Sequence, residues 1–263
     1  MTASILKLTN IKVKSARQTI LAIDTLEVRS GEFIGIIGTN GAGKTTLLNL
    51  CCGILTPSQG TIEIVGSDLA ALTKWQKTNL RKQISYIPQS TEYNSELPFT
   101  LREVVAMGRT STKSLVTGLN KKDYDLIDYW IDKLGLTKKR HQTFRSLSGG
   151  EQQKALIARA MAQKPTILML DEPCANLDFN WKHQITQIIE QLYFQGKMTV
   201  LMVSHETNLL PACCKRVVLL DNGQILADDS AEKILSSELL EQAYRCRIET
   251  VNIHGRTYTI SRN

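Results

Sequence analysis

The chain has 263 residues, of which 42% are hydrophobic and 22% charged, with 32 Lys and Arg against 25 Asp and Glu. This length and composition suffice to bury a full core, which excludes a disordered chain, a collagen and a small disulfide scaffold. The longest charge-free stretch, residues 45–62, is interrupted by glycine, proline and polar residues, so it cannot span a bilayer.

The amino terminus and the cysteines indicate a cytosolic chain. Residues 1–6 lack a basic segment followed by an apolar one, so we expect no secretory signal. The six cysteines show neither a Cys-x-x-Cys pair nor a Cys/His spacing typical of zinc sites, so we expect free thiols in a reducing compartment. The net charge of +7 is divided among short clusters with acids between them, which is typical of a solvated surface, although a weak attraction to anionic lipid or nucleic acid stays open. We therefore expect no specific nucleic-acid partner.

The apolar pattern predicts two kinds of strand. Residues 4–13 and 20–28 mostly alternate between apolar and polar, which predicts an antiparallel hairpin. Residues 33–37, 166–170 and 199–203 are short and almost continuously apolar, as in parallel strands that are covered on both faces. Such strands build a doubly wound α/β core, whose ligands lie beyond the carboxyl ends of the strands.

The remaining segments predict helices and one tight turn. Residues 90–165 contain an apolar helical stripe that Asp123 would cap and Gly135 would end, so we expect an inserted helical subdomain. The pair Asn-Gly at 222–223 lies between two apolar runs and predicts a β-hairpin. Residues 231–244 are expected to form a helix, followed by a basic, β-rich tail.

A glycine-rich loop directly follows the first parallel strand. It matches the pattern G-x-x-x-x-G-K-[ST], here Gly38, Thr39, Asn40, Gly41, Ala42, Gly43, Lys44 and Thr45, and Thr46 comes next. The glycines let backbone N–H groups turn around a phosphate, and the positive end of the following helix points to the same place. We expect Lys44 to bind the β- and γ-phosphates and Thr45 to ligate magnesium.

Two carboxylates follow the second parallel strand. The sequence Leu-Met-Leu-Asp-Glu-Pro places Asp171 and Glu172 side by side at its carboxyl end. We expect Asp171 to hold magnesium and Glu172 to polarise the attacking water, because phosphoryl transfer depends on positioning and charge compensation. The alternative is an ordinary helix-capping pair.

Residues 147–153, Leu-Ser-Gly-Gly-Glu-Gln-Gln, predict a second anion site. Ser148 and Glu151 have the spacing of a capping box, and the two glycines between them expose the amides of a helix start. One chain would have a use for two separate phosphate receptors if the second one served the nucleotide of a partner chain.

Together, these three motifs resemble those of the ATP-binding subunit of an ABC transporter. The resemblance covers about residues 4–230 and implies a RecA-like P-loop ATPase core of the α/β class, with an antiparallel β subdomain and an α-helical subdomain inserted at about 90–165. Residues 231–263 would then be a C-terminal helix and tail. The resemblance also implies ATP hydrolysis with Mg²⁺, in a head-to-tail homodimer with two sandwiched ATP molecules.

Further site residues follow from this resemblance. It implies that Gln89 contacts magnesium and the attacking water, that His205 reaches the γ-phosphate, and that Asp178 belongs to a loop touching the partner's site. It implies that the partner's ATP is bound by Ser148, Gly149, Gly150 and Gln152. Outside the family, Gln89 reads as a loop residue and Asp178 as a helix N-cap.

One element departs from the family pattern. The family usually stacks adenine on an aromatic residue in the first hairpin, at about residues 15–17, but no Phe, Tyr or Trp precedes Phe33. Arg17 could cover the base with its guanidinium plane. The preference for ATP over GTP therefore stays open.

The kind of transporter is indicated by residues 97–109. This segment resembles importers for iron chelates, cobalamin and zinc or manganese, although it is also consistent with an amphipathic helix that only packs the helical subdomain. In the family, the surface near residues 89–109 forms a groove that receives a helix of an integral membrane permease. The implied partners are permease subunits and a substrate-binding protein, with the chain peripheral on the cytoplasmic face of the membrane.

Other functional classes fit less well. A soluble ABC ATPase acting on ribosomes or DNA would normally have two cassettes or a long insertion. A P-loop kinase or GTPase does not need residues 147–152. Among transporters, an exporter, a lipid system and an oxyanion system remain open, because the cassette never touches the cargo.

Overall fold

The computed structural model of the chain describes residues 3–15, 18–89, 98–113, 117–236, 238–253 and 256–262. Four strands form an antiparallel sheet: β1 (Ser4–Ser15), β2 (Gln18–Arg29), β4 (Gln59–Ile64) and β5 (Ser67–Asp68). Their order in space is β2-β1-β4-β5. The predicted first hairpin is confirmed, with Leu8 opposite Leu26.

The second sheet has six strands and carries the core: β3 (Phe33–Gly38), β6 (Ile84–Ile87), β7 (Ile167–Asp171), β8 (Thr199–Val203), β9 (Arg216–Asp221) and β10 (Gln224–Ser230). Their order is β10-β9-β3-β8-β7-β6, and every neighbouring pair is parallel except β9 with β10. The three predicted buried strands are confirmed, since every residue of β3, β7 and β8 is buried. Their carboxyl ends meet at one edge of the sheet.

The two faces of this sheet pack against different layers. In β3, Ile34 and Ile36 join a core with the antiparallel sheet, whereas Phe33 and Ile37 join a core with the helices. This alternation follows from the two-residue period of a strand. Because both faces are covered, the ends of the strands are held in fixed positions.

The described helices are α1 (Lys44–Cys51), α2 (Lys74–Arg81), α3 (Leu101–Thr110), α4 (Lys121–Lys133), α5 (Gly149–Ala162), α6 (Phe179–Gly196), α7 (Ala231–Leu235) and α8 (Glu238–Tyr244). Helices α3, α4 and α5 lie between β6 and β7 in the chain and pack against one another. A final hairpin, β11 (Arg247–Ile253) with β12 (Arg256–Arg262), follows α8. Among the described residues, no helix combines the length and the apolar character needed to cross a bilayer.

Two predicted helix boundaries are wrong. Helix α4 is capped by Asn120, whose side chain accepts from the Asp123 N–H at 3.2 Å, while Asp123 accepts from the Asn120 N–H at 3.0 Å. Asp123 is therefore the third residue of the capping box and not the cap. Residues 231–244 form two helices rather than one, because α7 ends at Leu235. Its C-cap is Ser236, whose hydroxyl donates to the Glu232 carbonyl oxygen at 2.6 Å.

Two predicted turns are confirmed. Gly135 follows α4 with φ +73°, as a helix stop requires. Asn222 and Gly223 have φ values of +46° and +75°, the pair of positive angles of a tight β-hairpin turn.

Candidate active site

The glycine-rich loop connects β3 to α1 and needs two of its glycines for shape. Gly38 has φ +148°, and a side chain there would place its Cβ 2.2 Å from the Leu220 carbonyl oxygen. Gly43 has φ +98° and provides no side-chain cap for α1. The amides at the start of α1 are therefore available to an anion, and the positive end of the helix favours one there.

The outer side of this loop is fixed by the turn between β9 and β10. The Gly223 N–H donates to the Ala42 carbonyl oxygen at 3.1 Å, and the Gly223 carbonyl oxygen accepts from the Ala22 N–H at 2.7 Å. A Cβ at Gly223 would lie 2.5 Å from the Ile20 carbonyl oxygen, so only glycine fits. The loop is thus joined to both sheets before any ligand binds.

Lys44 is buried, with its ammonium group bonded inside the loop. Its Nζ donates to the carbonyl oxygens of Gly38 and Thr39, both at 2.8 Å, and lies 3.3 Å from His205 Nδ1. An ammonium group can only donate, so Nδ1 accepts and the His205 proton lies on Nε2. Burial lowers the pKa of Lys44, opposed by the charges of Glu172 and Asp171. A bound phosphate would have to replace some of these contacts.

Asp171 is fully buried at the end of β7 and has one unused oxygen. Its Oδ2 accepts from the Tyr86 hydroxyl at 3.2 Å, whereas its Oδ1 has no hydrogen-bond partner among the described residues. Burial raises the pKa of this carboxyl group, while hydrogen bonds from Thr45 and Tyr86 lower it. An unused carboxylate oxygen near a threonine hydroxyl is the kind of donor set that suits a hard divalent cation. Thr45 and Asp171 thus fit magnesium.

Glu172 lies at the centre of the site. Its φ of +49° is left-handed, which is rare outside glycine and turns the chain sharply after β7. One carboxylate oxygen accepts from Gln89 Nε2 at 2.9 Å, and the other contacts His205 Nε2. The pKa of Glu172 is raised by burial and then by Asp171, and the pKa of His205 is lowered by burial and then by Lys44.

The structure therefore brings together four residues from four separate segments. Gln89 follows β6, Glu172 follows β7, His205 follows β8 and Lys44 begins α1. A neutral imidazole that accepts from Lys44 and donates to Glu172 links the phosphate loop to the carboxylate.

The second predicted anion site lies at the start of α5. Ser148 accepts from the Glu151 N–H at 3.4 Å, and Glu151 accepts from the Ser148 N–H at 3.0 Å, so the predicted capping box is confirmed. Ser148 and Gly149 are exposed. In the described part of the chain, no hydrogen bond or ion pair joins residues 148–152 to the phosphate loop.

The other residues of this segment face their own chain. Gly150 is covered by Trp181, since a Cβ would lie 2.0 Å from the indole ring. The Gln152 amide donates to the carbonyl oxygens of Phe144 and Leu147, at 3.1 and 3.2 Å, and so holds the loop that precedes α5. Contact of Gln152 with a nucleotide stays a prediction.

Two further predicted residues have different outcomes. Asp178 caps α6, because its Oδ1 accepts from the Trp181 N–H at 2.9 Å. Arg17 lies outside the described residues. Sequence reasoning missed Tyr86, whose hydroxyl binds Asp171 because β6 and β7 are neighbours. Its only sequence signal is its position three residues before Gln89.

A groove lies beside β6, the strand that precedes Gln89. It is lined by Tyr86 of β6, by Met107, Gly108 and Ser111 of α3 and the turn after it, and by Arg159 and Gln163 at the end of α5. Gly108 is required there, since a Cβ would lie 1.9 Å from the Arg159 carbonyl oxygen. The groove overlaps the predicted surface near residues 89–109, of which residues 90–97 lie outside the described part.

Comparisons with known proteins agree with this geometry. A family model described as "ABC transporter" matches residues 21–175. The zinc uptake system ATP-binding protein ZurA of Listeria monocytogenes is 34% identical over 229 residues, which cover 87% of each chain. The petrobactin import ATP-binding protein FpuC of Bacillus anthracis is 30% identical over 224 residues, covering 85% of this chain and 80% of that protein.

A solved structure is similar over almost the whole chain. It is described as an inward-facing conformation of a metal-chelate type ABC transporter, and it superposes with a TM-score of 0.83 at 25% identity. The match covers 99% of this chain and 98% of the other.

Proposed function

The chain belongs to the ABC transporter family, and from this premise we propose that it powers an importer for a metal ion or a metal chelate. As an ABC ATPase, the chain binds and hydrolyses ATP. What we propose beyond this is the role of each site residue, the partners and the class of cargo. The observation that carries the proposal is the contact of Glu172 with both Gln89 and His205, next to Lys44.

The proposed chemistry assigns one task to each residue of this cluster. The amides of residues 38–46 and the Lys44 ammonium group bind the phosphates. Glu172 accepts a proton from the attacking water, and its raised pKa makes it a stronger base than an ordinary glutamate. His205 donates from Nε2 to the γ-phosphate when the phosphate replaces Glu172 as its partner. In the ATP-bound state, the attacking water replaces the Gln89 amide as the hydrogen-bond partner of Glu172, and Gln89 orients this water.

Magnesium is a proposed cofactor, held by Thr45, Asp171 and Gln89. When bound, the ion would neutralise charge on the β- and γ-phosphate oxygens. The support for this assignment is the unpaired Oδ1 of Asp171, which lies buried close to the phosphate loop. Tyr86 holds the other oxygen and so fixes the orientation of the carboxylate.

A head-to-tail homodimer is the proposed working state. The exposed start of α5 has helix amides and the Ser148 hydroxyl to offer, but no charged catalytic group of its own chain. The phosphate loop, residues 38–45, lies beside the proposed catalytic groups of Glu172 and His205. The side chain of His205 is still 36% exposed, so this site is open on its outer side. Each surface supplies what the other lacks, so we propose that the loop of one protomer and the start of α5 of its partner enclose each ATP.

The groove beside Gln89 is the proposed docking site of a membrane permease. Tyr86 lines this groove, and its hydroxyl donates to Asp171. A permease helix in the groove would therefore contact Tyr86, which in turn contacts the proposed metal-binding carboxylate. Gln89 follows three residues later and binds Glu172. These contacts support a short path from a permease to the hydrolytic site. We propose that the chain works at the cytoplasmic face of the membrane, bound to this permease.

The proposed cargo class rests on what two relatives are named for. ZurA is named for zinc uptake and FpuC for petrobactin import. We therefore favour a metal ion, an iron chelate or cobalamin, delivered by a substrate-binding protein. An exporter, a lipid system or an oxyanion system is the alternative within the family.

The test is to purify a tagged Glu172→Gln protein from native membranes with ATP and magnesium and to identify its partners by mass spectrometry. A polytopic membrane subunit would support the transport proposal, and its binding protein could then be tested for zinc or chelated iron. Ribosomal or DNA-repair proteins without a membrane subunit would overturn it. A matched Glu63→Gln protein, altered at an exposed residue of β4, shows whether the capture depends on the change at Glu172.

A further inference from the structure

The segment that follows His205 is held by the carboxyl-terminal hairpin. Three residues after the histidine, the Asn208 side chain binds the backbone of Thr259 in β12 at two points. Its Nδ2 donates to the Thr259 carbonyl oxygen at 3.2 Å, and its Oδ1 accepts from the Thr259 N–H at 2.9 Å. The Thr207 hydroxyl also contacts the Thr259 hydroxyl. The Asn208 amide thus makes the two hydrogen bonds with Thr259 that the backbone of a neighbouring strand would make.

The other side of the same segment is bound to α6. Lys182 pairs with Glu206, and the Thr186 hydroxyl donates to the Leu209 carbonyl oxygen at 3.5 Å. Inside the segment, the Ser204 hydroxyl donates to the Glu206 carbonyl oxygen at 2.7 Å. Residues 204–209 therefore lie between α6 and the hairpin, and His205 has a side chain that is still 36% exposed.

We infer that Asn208 is a positioning residue, and that the hairpin β11–β12 sets the place of His205 through it. The two hydrogen bonds fix the backbone three residues from the histidine, where a small shift changes the reach of the imidazole. Groups held within a fraction of an ångström of the reacting atoms contribute strongly to rate, so loss of this support should slow the chemical step. The inference rests on the proposed role of His205 at the γ-phosphate.

The test compares four full-length variants by the kcat and KM of ATP hydrolysis and by the Kd for ADP. They are Asn208→Ala, Asn208→Asp, His205→Ala and Asn208→Ala combined with His205→Ala. Asp keeps the size of Asn and the acceptor for the Thr259 N–H. Asn208→Asp is therefore the variant to use if Asn208→Ala weakens the fold. The matched control is Ile260→Ala, because Ile260 is the next residue of β12 and is 52% exposed.

We expect Asn208→Ala to lower kcat about tenfold and Asn208→Asp to lower it less. The Kd for ADP, which has no γ-phosphate, should change by less than about twofold, and Ile260→Ala should behave as the unaltered protein. In the His205→Ala background, Asn208→Ala should cause no further loss, because both changes act through the same imidazole.

Four results would overturn the inference, and they are distinguishable. If His205→Ala lowers kcat but Asn208→Ala does not, or if the two losses multiply, Asn208 does not act through His205 and only the positioning role fails. If His205→Ala leaves kcat unchanged, the proposed role of His205 fails as well. Equal losses of kcat and ADP affinity in Asn208→Ala would mark a purely structural residue.

Discussion

The starts of α1 and α5 have the same local structure but different surroundings. Each is a helix amino terminus with glycines and available amides, which is a ready site for an anion. The start of α1 carries Lys44 and lies beside Asp171, Glu172 and His205, which are held at the ends of buried strands. The start of α5 is exposed and offers a capping serine. Local sequence thus gives both helix starts the amides of an anion site, but only the first has the proposed catalytic groups within reach in its own chain.

The largest effect should come from removing the base at the α1 site. We expect Glu172→Gln to lower steady-state hydrolysis by roughly 10² to 10⁴-fold, the usual range for a general base, while ATP binding is retained. The measurement is phosphate release together with equilibrium ATP binding. Glu63→Gln, on the exposed face of β4, is the control. Hydrolysis near the normal rate would remove Glu172 from its assigned role.

The next effect tests whether the α5 site works on a partner's nucleotide. Ser148→Asp keeps an excellent helix cap but places a negative charge where the γ-phosphate would approach. We expect hydrolysis to fall by about 10²-fold, as when a donor to transition-state charge is lost, with unchanged ATP binding to the monomer. Ser148→Asn, a cap without charge, should retain far more activity.

Mixing two inactive variants sharpens this result. A Lys44→Ala protomer paired with a Ser148→Asp protomer contains one site in which both surfaces are intact. The mixture should regain roughly a quarter of normal hydrolysis, because half of the dimers are mixed and each has one good site in a head-to-tail arrangement. No recovery in a mixture shown to contain mixed dimers would mean that each site lies within one chain.

A smaller effect should appear at the far end of α5, where the groove lies. We expect Met107→Arg to abolish stimulation of hydrolysis by the permease, while hydrolysis by the isolated chain stays within about twofold, because Met107 is 36% exposed at the surface. Stimulated and basal rates in the same membranes are the measurement. Equal loss of both rates would show that the groove supports the fold and does not receive a partner.

The smallest effect concerns pH. Because the pKa of Glu172 is raised, this base should be protonated at a higher pH than an ordinary glutamate, and because the pKa of His205 is lowered, the imidazole stays neutral at neutral pH. We expect kcat to be flat near neutrality and to fall on acidification, beginning above the ordinary glutamate range. Ser148→Asn should keep the same profile. An acid limb at or below the ordinary glutamate pKa would contradict the burial of this carboxylate.

The sequence contains much of the α1 site because the site is built from strand ends. Continuous apolar runs predict buried parallel strands, and parallel strands deliver their next residues to one edge, which brings together Gln89, Glu172 and His205. The glycine spacing predicts the loop because only glycine adopts the backbone angles found at Gly38 and Gly43.

The parts that sequence reasoning missed depend on contacts between distant segments. Asn208 and Thr259 are 51 residues apart, and no local pattern marks an amide that pairs with a remote strand. Asn120 and Asp123 are both good caps, and only the direction of the chain that enters α4 makes Asn120 the cap. Tyr86 could be assigned to the site only once β6 was known to lie beside β7.

The packing of Trp181 on Gly150 allows the start of α5 to be followed by tryptophan fluorescence. The chain contains three tryptophans, and the other two, Trp75 and Trp130, lie on α2 and α4. Replacing both with phenylalanine would leave a single indole packed against Gly150, with the Lys154 ammonium group 4.9 Å from the centre of its ring. Its fluorescence would change whenever that end of the helix is covered, so closure of the dimer could be timed without an attached dye.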